Sequence, residues 1–126
     1  MKRINECSPQ ELVEYNAAQQ DAIDTHTRGI AKLKVRNAVD GIDENEYQEN
    51  LARIADLKAE RGILRARRDA FYAAQSAINP PDSHQLAQIK SNLDAVNALT
   101  VDRQIVVEVV GLATDAFNTF SDIQPS

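Results

Sequence analysis

The sequence predicts an all-α protein: an antiparallel helical bundle of three long layers, the third bent or split into two helices, with a four-helix count as the alternative. Three observations carry this expectation. Helix-start signals occur at Ser8-Pro9-Gln10-Glu11, at Asp43 to Glu46 and at Asp82 to Gln85. Apolar residues recur at spacings of three and four over long stretches. Aromatic residues make up only 5% of the 126 residues, with no Trp, so the core is built from Ala, Leu, Ile and Val, which suits close helical packing.

The first helix is expected over about 9–38, allowing for frayed ends. Ser8 caps it, Pro9 occupies the first helical position, and Glu11 can reach back to the Ser8 backbone. Its stripe is Leu12, Asn16, Gln19, Ile23, His26, Ile30, Leu33 and Asn37, half of it polar. Asn16, Gln19 and His26 read as seam residues that fix alignment at some cost in stability.

Asp40-Gly41 is a turn pair, and Asp43 with Glu46 forms a second capping box flanked by Ile42 and Tyr47 as a hydrophobic staple. The second helix is expected over about 44–78, stopped by Asn79-Pro80-Pro81, because Pro lacks an amide donor and restricts the residue before it. One face carries Leu51, Ile54, Leu57, Leu64, Phe71 and Ile78, with Arg61 and Arg68 interleaved. The other carries Ala55, Ala59, Gly62, Ala66 and Ala73. If that small-residue face is packed, this helix is the middle element. If not, the alanines are helix formers on a wet surface.

Asp82 with Gln85 caps a third helix, expected over about 83–98, with Leu86, Ile89, Leu93 and Val96 on one stripe. The short joint before it predicts that the second and third helices are antiparallel neighbours. A new register then begins: Ile105, Val109, Leu112, Ala116 and Phe120. The fourth helix is expected over about 101–121 with Thr100 as its cap, lying end to end with the third so that the pair matches the first two in length. The stretch 104–112, QIVVEVVGL, is rich in β-branched residues and would read as a strand in isolation. A lone strand has nothing to pair with in a helical chain, so helix is expected. Nothing divides the chain, and residues 1–126 read as one domain.

Hydrophobic content of 43% against 26% charged argues against wholesale disorder. A net charge of −5 argues against a nucleic-acid or anionic-membrane binder. Cys7 is the only cysteine, so no internal disulfide is possible, and no His or Asp lies near it to activate it. The N-terminus has no apolar run of a secretory signal, and no stretch is long and apolar enough for a bilayer, which makes a cytoplasmic compartment the expectation, with non-classical export as the alternative.

His26 and His84 share no ligand spacing, so no metal is expected. DGIDENE does not fit a calcium loop, and the four glycines are too scattered to cradle phosphate. No catalytic motif occurs, so neither an enzyme nor a cofactor is expected. The basic cluster Lys58, Arg61, Arg65, Arg67 and Arg68 suggests nucleic acid. A different account is favoured. Folding the first helix back on the second sets Glu11, Glu14, Asp21 and Asp24 beside these arginines, and Arg28, Lys32, Lys34 and Arg36 beside Asp43, Glu44, Glu46 and Glu49.

The fourth helix is apolar around much of its circumference, with Val106, Val110, Ala113 and Phe117 widening the stripe. The expected function is therefore a non-enzymatic helical interaction module, of adaptor, secretion-accessory or toxin-neutralising type. Its contact surface is Ile105, Val106, Val109, Val110, Ala113, Phe117 and Phe120, with Arg61 and Arg68 as receivers of a partner's acidic groups. The partner is another protein or further copies of the chain in a homo-oligomer, with no nucleic acid and no membrane.

The stretches NPPDSHQL, SNL and DAFNTF, between Asn79 and Phe120, resemble the hairpin turn and C-terminal helix of type III secretion needle subunits. The likeness spans about a third of the chain, and the first helix has no counterpart in that family. It implies a helical hairpin that assembles with copies of itself.

Overall fold

The computed structural model describes residues 1–125. A short 3-10 turn, Ile4–Glu6, precedes four helices: α1 (Pro9–Asn37), α2 (Glu44–Tyr72), α3 (Ser83–Ala98) and α4 (Val106–Ile123). They pack as an all-α bundle, with no strand among the described residues. Two of the three expected capping boxes form in full. Ser8 Oγ accepts from the Glu11 amide at 3.1 Å while Glu11 accepts from the Ser8 amide at 2.8 Å. Asp82 and Gln85 do the same at 2.8 and 3.0 Å. The third is half a box. Asp43 accepts from the Asn45 and Glu46 amides, but the Glu46 carboxylate turns to Arg36 instead.

The chain runs up, down, up, down. α1 starts beside the start of α3 and the end of α4, and it finishes beside the end of α3 and the start of α4. The cross-section is a rhombus. α1 packs against all three other helices, whereas α2 and α3 sit on the long diagonal and make next to no contact. The middle element is therefore α1, not α2. The small residues that matter are on α1: Ala18, Ala22, Thr25 and Gly29 are buried and let α4 approach. A Cβ on Gly29 would lie 2.8 Å from Val109 Cγ1. On α2, by contrast, Ala55, Ala59, Gly62, Ala66 and Ala73 are all exposed, and a Cβ on Gly62 would meet nothing within 4 Å.

Four other expectations are corrected. α2 stops at Tyr72 rather than near Ile78: Ala74 adopts a left-handed φ of 58°, and the chain then extends so that Lys2 and Ile78 exchange backbone hydrogen bonds of 2.7 and 2.8 Å. The pull of a β-bridge to the N-terminus outweighs continued helix. The joint from 73 to 82 crosses the end of the bundle, so α2 and α3 are diagonal rather than adjacent. α4 begins at Val106, with Ile105 at the cap position and no side-chain cap from Thr100 or elsewhere. The intervening loop reverses direction, so α3 and α4 form a hairpin side by side instead of a bent rod.

The core has two clusters. One, holding Tyr15, Phe71, Phe120, Leu64, Ile89 and Ile123, lies at the end where the N-terminus, the α2–α3 joint and the C-terminus meet. The other is wholly aliphatic, built around Ile30, Leu33, Leu57, Val96, Val106 and Val109, at the end of the α1–α2 turn and the α3–α4 loop. Buried polar side chains on α1 and α3, among them Gln19, Thr25, His26 and Asn92, accompany them.

Candidate interaction surfaces

α4 supplies the core with Val106, Val109, Ala113, Ala116, Phe120 and Ile123. Their spacings of three, four, three, four and three form a strict heptad line, which shares Val109, Ala116 and Phe120 with the expected stripe and takes Val106 and Ala113 in place of Ile105 and Leu112. Ile105 is buried too, at the cap. Of the seven α4 residues expected to meet a partner, Ile105, Val106, Val109, Ala113 and Phe120 are thus covered by the chain's own helices, because α1 comes close enough through Gly29 to seal them. Only Val110 and Phe117 are part-exposed.

Those two belong to a second line, Val107, Val110, Thr114, Phe117 and Ser121, again at alternating three and four, which faces the seam with α2. The lower half of that seam is shut. Arg67 on α2 lays its guanidinium over the Phe117 ring at 5.2 Å and donates to Ser121 Oγ at 2.9 Å. The upper half is open. Here Val106, Val107, Val110, Gly111 and Thr114 of α4 face Glu49, Arg53, Asp56 and Glu60 of α2 across a groove. Val107 is 76% exposed, more than any other large hydrophobic side chain among the described residues, and a Cβ on Gly111 would meet nothing within 4 Å. Sequence reasoning missed Val107 and Gly111. The signal was present: once the line 106-109-113-116-120-123 is taken as core, Val107 and Gly111 fall outside it.

Beneath the groove a buried His26 meets part-exposed Glu60. His26 is fully buried; its Nδ1 lies 2.8 Å from the Ala22 carbonyl and its Nε2 lies 3.1 Å from Glu60 Oε2. Both partners are acceptors, so both hydrogen bonds form together only when His26 carries two ring protons or Glu60 carries one. The pair ties α1 to α2, and the ring's aromatic neighbour is Phe117 at 6.4 Å, edge-on.

The complementary charges expected along α1 and α2 are realised at one place. Arg36 makes a bidentate pair with Glu46, at 2.6 and 2.9 Å. The bond to Arg36 holds the Glu46 carboxyl below its ordinary range and raises the guanidinium in turn. The acids meant for the arginines go elsewhere: Glu11 to Lys2, Glu14 to Gln10 and Asp24 to Gln20. Asp21 is part-buried, and desolvation raises its carboxyl.

Arg68 touches only its sequence neighbour Asp69, at 3.3 Å. Arg61 donates through Nη1 to Thr27 Oγ1 at 3.2 Å, and its Nε is buried without a partner. Desolvation, then the nearby Arg65, push its guanidinium down. The two arginines and the α4 residues lie on different faces of the bundle and do not form one site. Cys7 Sγ donates to the Arg3 carbonyl at 3.4 Å, and burial raises its thiol, the reverse of what a nucleophile needs.

Among the described residues no group of three or more His, Cys, Asp or Glu stands close enough to hold a metal, and no helix is long and apolar enough to cross a membrane. Compared with known protein families, curated proteins and solved structures, the chain matches none.

Proposed function

We propose that the chain is a non-enzymatic helical interaction module that seats an amphipathic helix of another protein in the upper groove between α2 and α4. The observation that supports this reading best is the exposure of Val107 beside part-buried Val110 and bare Gly111, on a helix whose other side is sealed in the core. A valine in that position contributes nothing to the fold it sits on, while a fifth helix would bury it. The groove follows α2 from Glu49 to Glu60, which is about 16 Å of helix axis, enough for three turns of a visitor. Gly111 on the ridge lets a visiting backbone come close, and Arg53, flanked by Glu49, Asp56 and Glu60, supplies a charged wall that sets its direction.

The test is a double substitution, Val107→Asp with Val110→Asp, in the full chain. The variant keeps its helical circular dichroism and loses the partner that wild type captures. Retention of every wild-type partner by a folded variant overturns the proposal.

The same ridge would also serve self-assembly, the reading that the needle-like hairpin implied. Sedimentation over a concentration series distinguishes the two. Continuous growth that V107D abolishes favours a polymerising subunit, and a fixed small species favours the adaptor.

A further inference from the structure

We propose that the outer seam between α1 and α2 is a second docking surface, independent of the α4 ridge, and that it receives an acidic helical segment of another protein. Four cations on α2, Lys58, Arg61, Arg65 and Arg68, follow one another at spacings of three, four and three, so they stand in one row about 15 Å long. Two contacts place that row against α1: Arg61 reaches Thr27, and Tyr72, one turn beyond Arg68, reaches Asn16.

The α1 side of the seam does not neutralise the row. Thr27 and Asn16 are uncharged, and Asp24, three residues before Thr27, makes no ion pair among the described residues and accepts instead from Gln20 Nε2 at 2.8 Å. Among the described residues Lys58, Arg61 and Arg65 make no ion pair, and Arg68 has only Asp69. Arg61 is the centre of the inference. Its side chain is part-buried, its Nε has no acceptor, and its charged neighbour is another guanidinium. A desolvated cation beside a like charge is unfavourable as it stands, and an incoming carboxylate relieves both defects at once. Arg presents its donors in a planar fork suited to a carboxylate.

The chemistry of the visitor follows from what flanks the row. Beyond Lys58 lies a hollow lined by Tyr47, Leu51 and Ile54 and rimmed by Lys34, and beyond Arg68 stands half-exposed Tyr72. Apolar ground at both ends of a cationic row fits an amphipathic helix with carboxylates at matching spacings and apolar residues outside them. A nucleic-acid backbone needs a continuous cationic track, and the chain's net charge of −5, with Glu44 and Glu49 exposed at the start of α2, opposes a long polyanion.

Fluorescence anisotropy on the full chain at about 50 mM salt tests this, where surface charges are screened only weakly. The probes are a labelled synthetic helix of about five turns with Glu at spacings three, four and three and Leu at its ends, the same helix with Gln for Glu, and a short DNA duplex. The Glu helix binds, and the Gln helix binds at least about tenfold more weakly. Arg61→Gln with Arg65→Gln weakens the Glu helix by a similar factor in a variant that keeps its helical circular dichroism, while Val107→Asp leaves it unchanged. Since Arg65 is exposed, Arg65→Glu alone serves as a second variant should the double change perturb folding. Four results overturn the proposal: no binding of the Glu helix, equal binding of the Gln helix, indifference to the arginine changes, or tighter, steeply salt-dependent binding of the duplex. Loss of binding in the Val107→Asp variant would also overturn it, by placing the helix on the α4 groove.

Discussion

The two ends of the bundle are held together by different means. At the aromatic end, where both termini meet the α2–α3 joint, the chain is laced by hydrogen bonds between segments distant in sequence. Lys2 bridges Ile78, the Asn79 amide donates to the Ile123 carbonyl at 2.7 Å, and buried Gln124 donates to the Arg67 carbonyl and accepts from Tyr15 Oη at 2.7 Å. Tyr15, Phe71 and Phe120 stack within that lacing, with Tyr15 and Phe71 centroids 4.5 Å apart. At the aliphatic end the core holds no aromatic side chain and is built from Leu, Ile, Val and Ala. Its ties are the Arg36–Glu46 pair, Asn50 donating to Asn37 Oδ1 at 2.8 Å, Asn37 donating to the Tyr47 carbonyl at 3.3 Å, and Lys32 Nζ donating to the Leu99 and Asn97 carbonyls at 2.6 and 3.1 Å. The open α2–α4 groove lies at this second end. One end is laced on every side, whereas the other is tied from α1 to α2 and to the α3–α4 loop but has no hydrogen bond across its α2–α4 seam among the described residues, and that seam is where the bundle can admit another helix without breaking hydrogen bonds.

The largest expected effect breaks the laced end. Phe71→Ala removes a fully buried ring from the centre of the aromatic cluster and costs about 3–5 kcal/mol in denaturant unfolding. Leu57→Ala, equally deep in the aliphatic cluster, falls near the lower limit of about 2–5 kcal/mol, because the adjoining groove lets Val110 and Arg53 settle into the space. Equal costs would mean that the two ends are equally rigid. Gly29→Ala comes next. Its new methyl meets Val109 Cγ1, so it costs about 1–3 kcal/mol even though Ala is the better helix former.

How much of this was legible in the sequence depends on the kind of interaction. Caps are local, and Ser8, Asp43 and Asp82 announced three helix starts correctly. The uncapped start of α4 left no comparable sign, and it lies five residues beyond the position expected from Thr100. Helix ends fixed by distant contacts were hidden: nothing near Tyr72 in sequence reveals that Ile78 pairs with Lys2. Small-residue faces were ambiguous for a physical reason. Ala serves equally as helix former and as spacer, so α1 with Ala18, Ala22 and Gly29 and α2 with Ala55, Ala59 and Gly62 look alike until a third helix chooses between them. Arg67 was read only as a member of a basic cluster, because its role depends on Phe117 and Ser121, fifty and more residues away. On α4 the expected stripe was largely right, since Ile105, Val109, Ala116 and Phe120 are buried, but the face left for a partner was misjudged, with buried Val106 and Ala113 standing where exposed Val107 and Gly111 belong.

A smaller effect sharpens the comparison through pH. The Glu46 carboxyl titrates below its unfolded value of about 4.3, because Arg36 stabilises its charged form. Its contribution is therefore fully present above that unfolded value and is lost as pH falls through the lower folded one. Glu46→Gln reduces stability at neutral pH, and the deficit relative to wild type closes as the solution is acidified below about pH 4. Chemical denaturation at a series of pH values gives the two curves. Parallel curves would show that the tie at the aliphatic end is not electrostatic.

The smallest changes in stability concern the two bare glycines on exposed helix faces. Gly62→Ala and Gly111→Ala should each raise the stability of the free chain by about 0.4–1 kcal/mol, because Ala restricts the unfolded chain and neither new methyl meets a neighbour. In the free protein the two substitutions are thus equivalent, whereas in a complex they are not. Gly111 sits on the ridge beside Val107 and Val110, so a methyl there stands between α4 and a visiting helix, while Gly62 lies on the far side of α2. Calorimetric melting of both variants, followed by partner binding, separates a glycine kept for contact from one that is merely tolerated. If Gly111→Ala stabilises the chain and binds its partner as wild type does, the ridge is not the interface, and the aliphatic end of the bundle owes its open groove to something other than recognition.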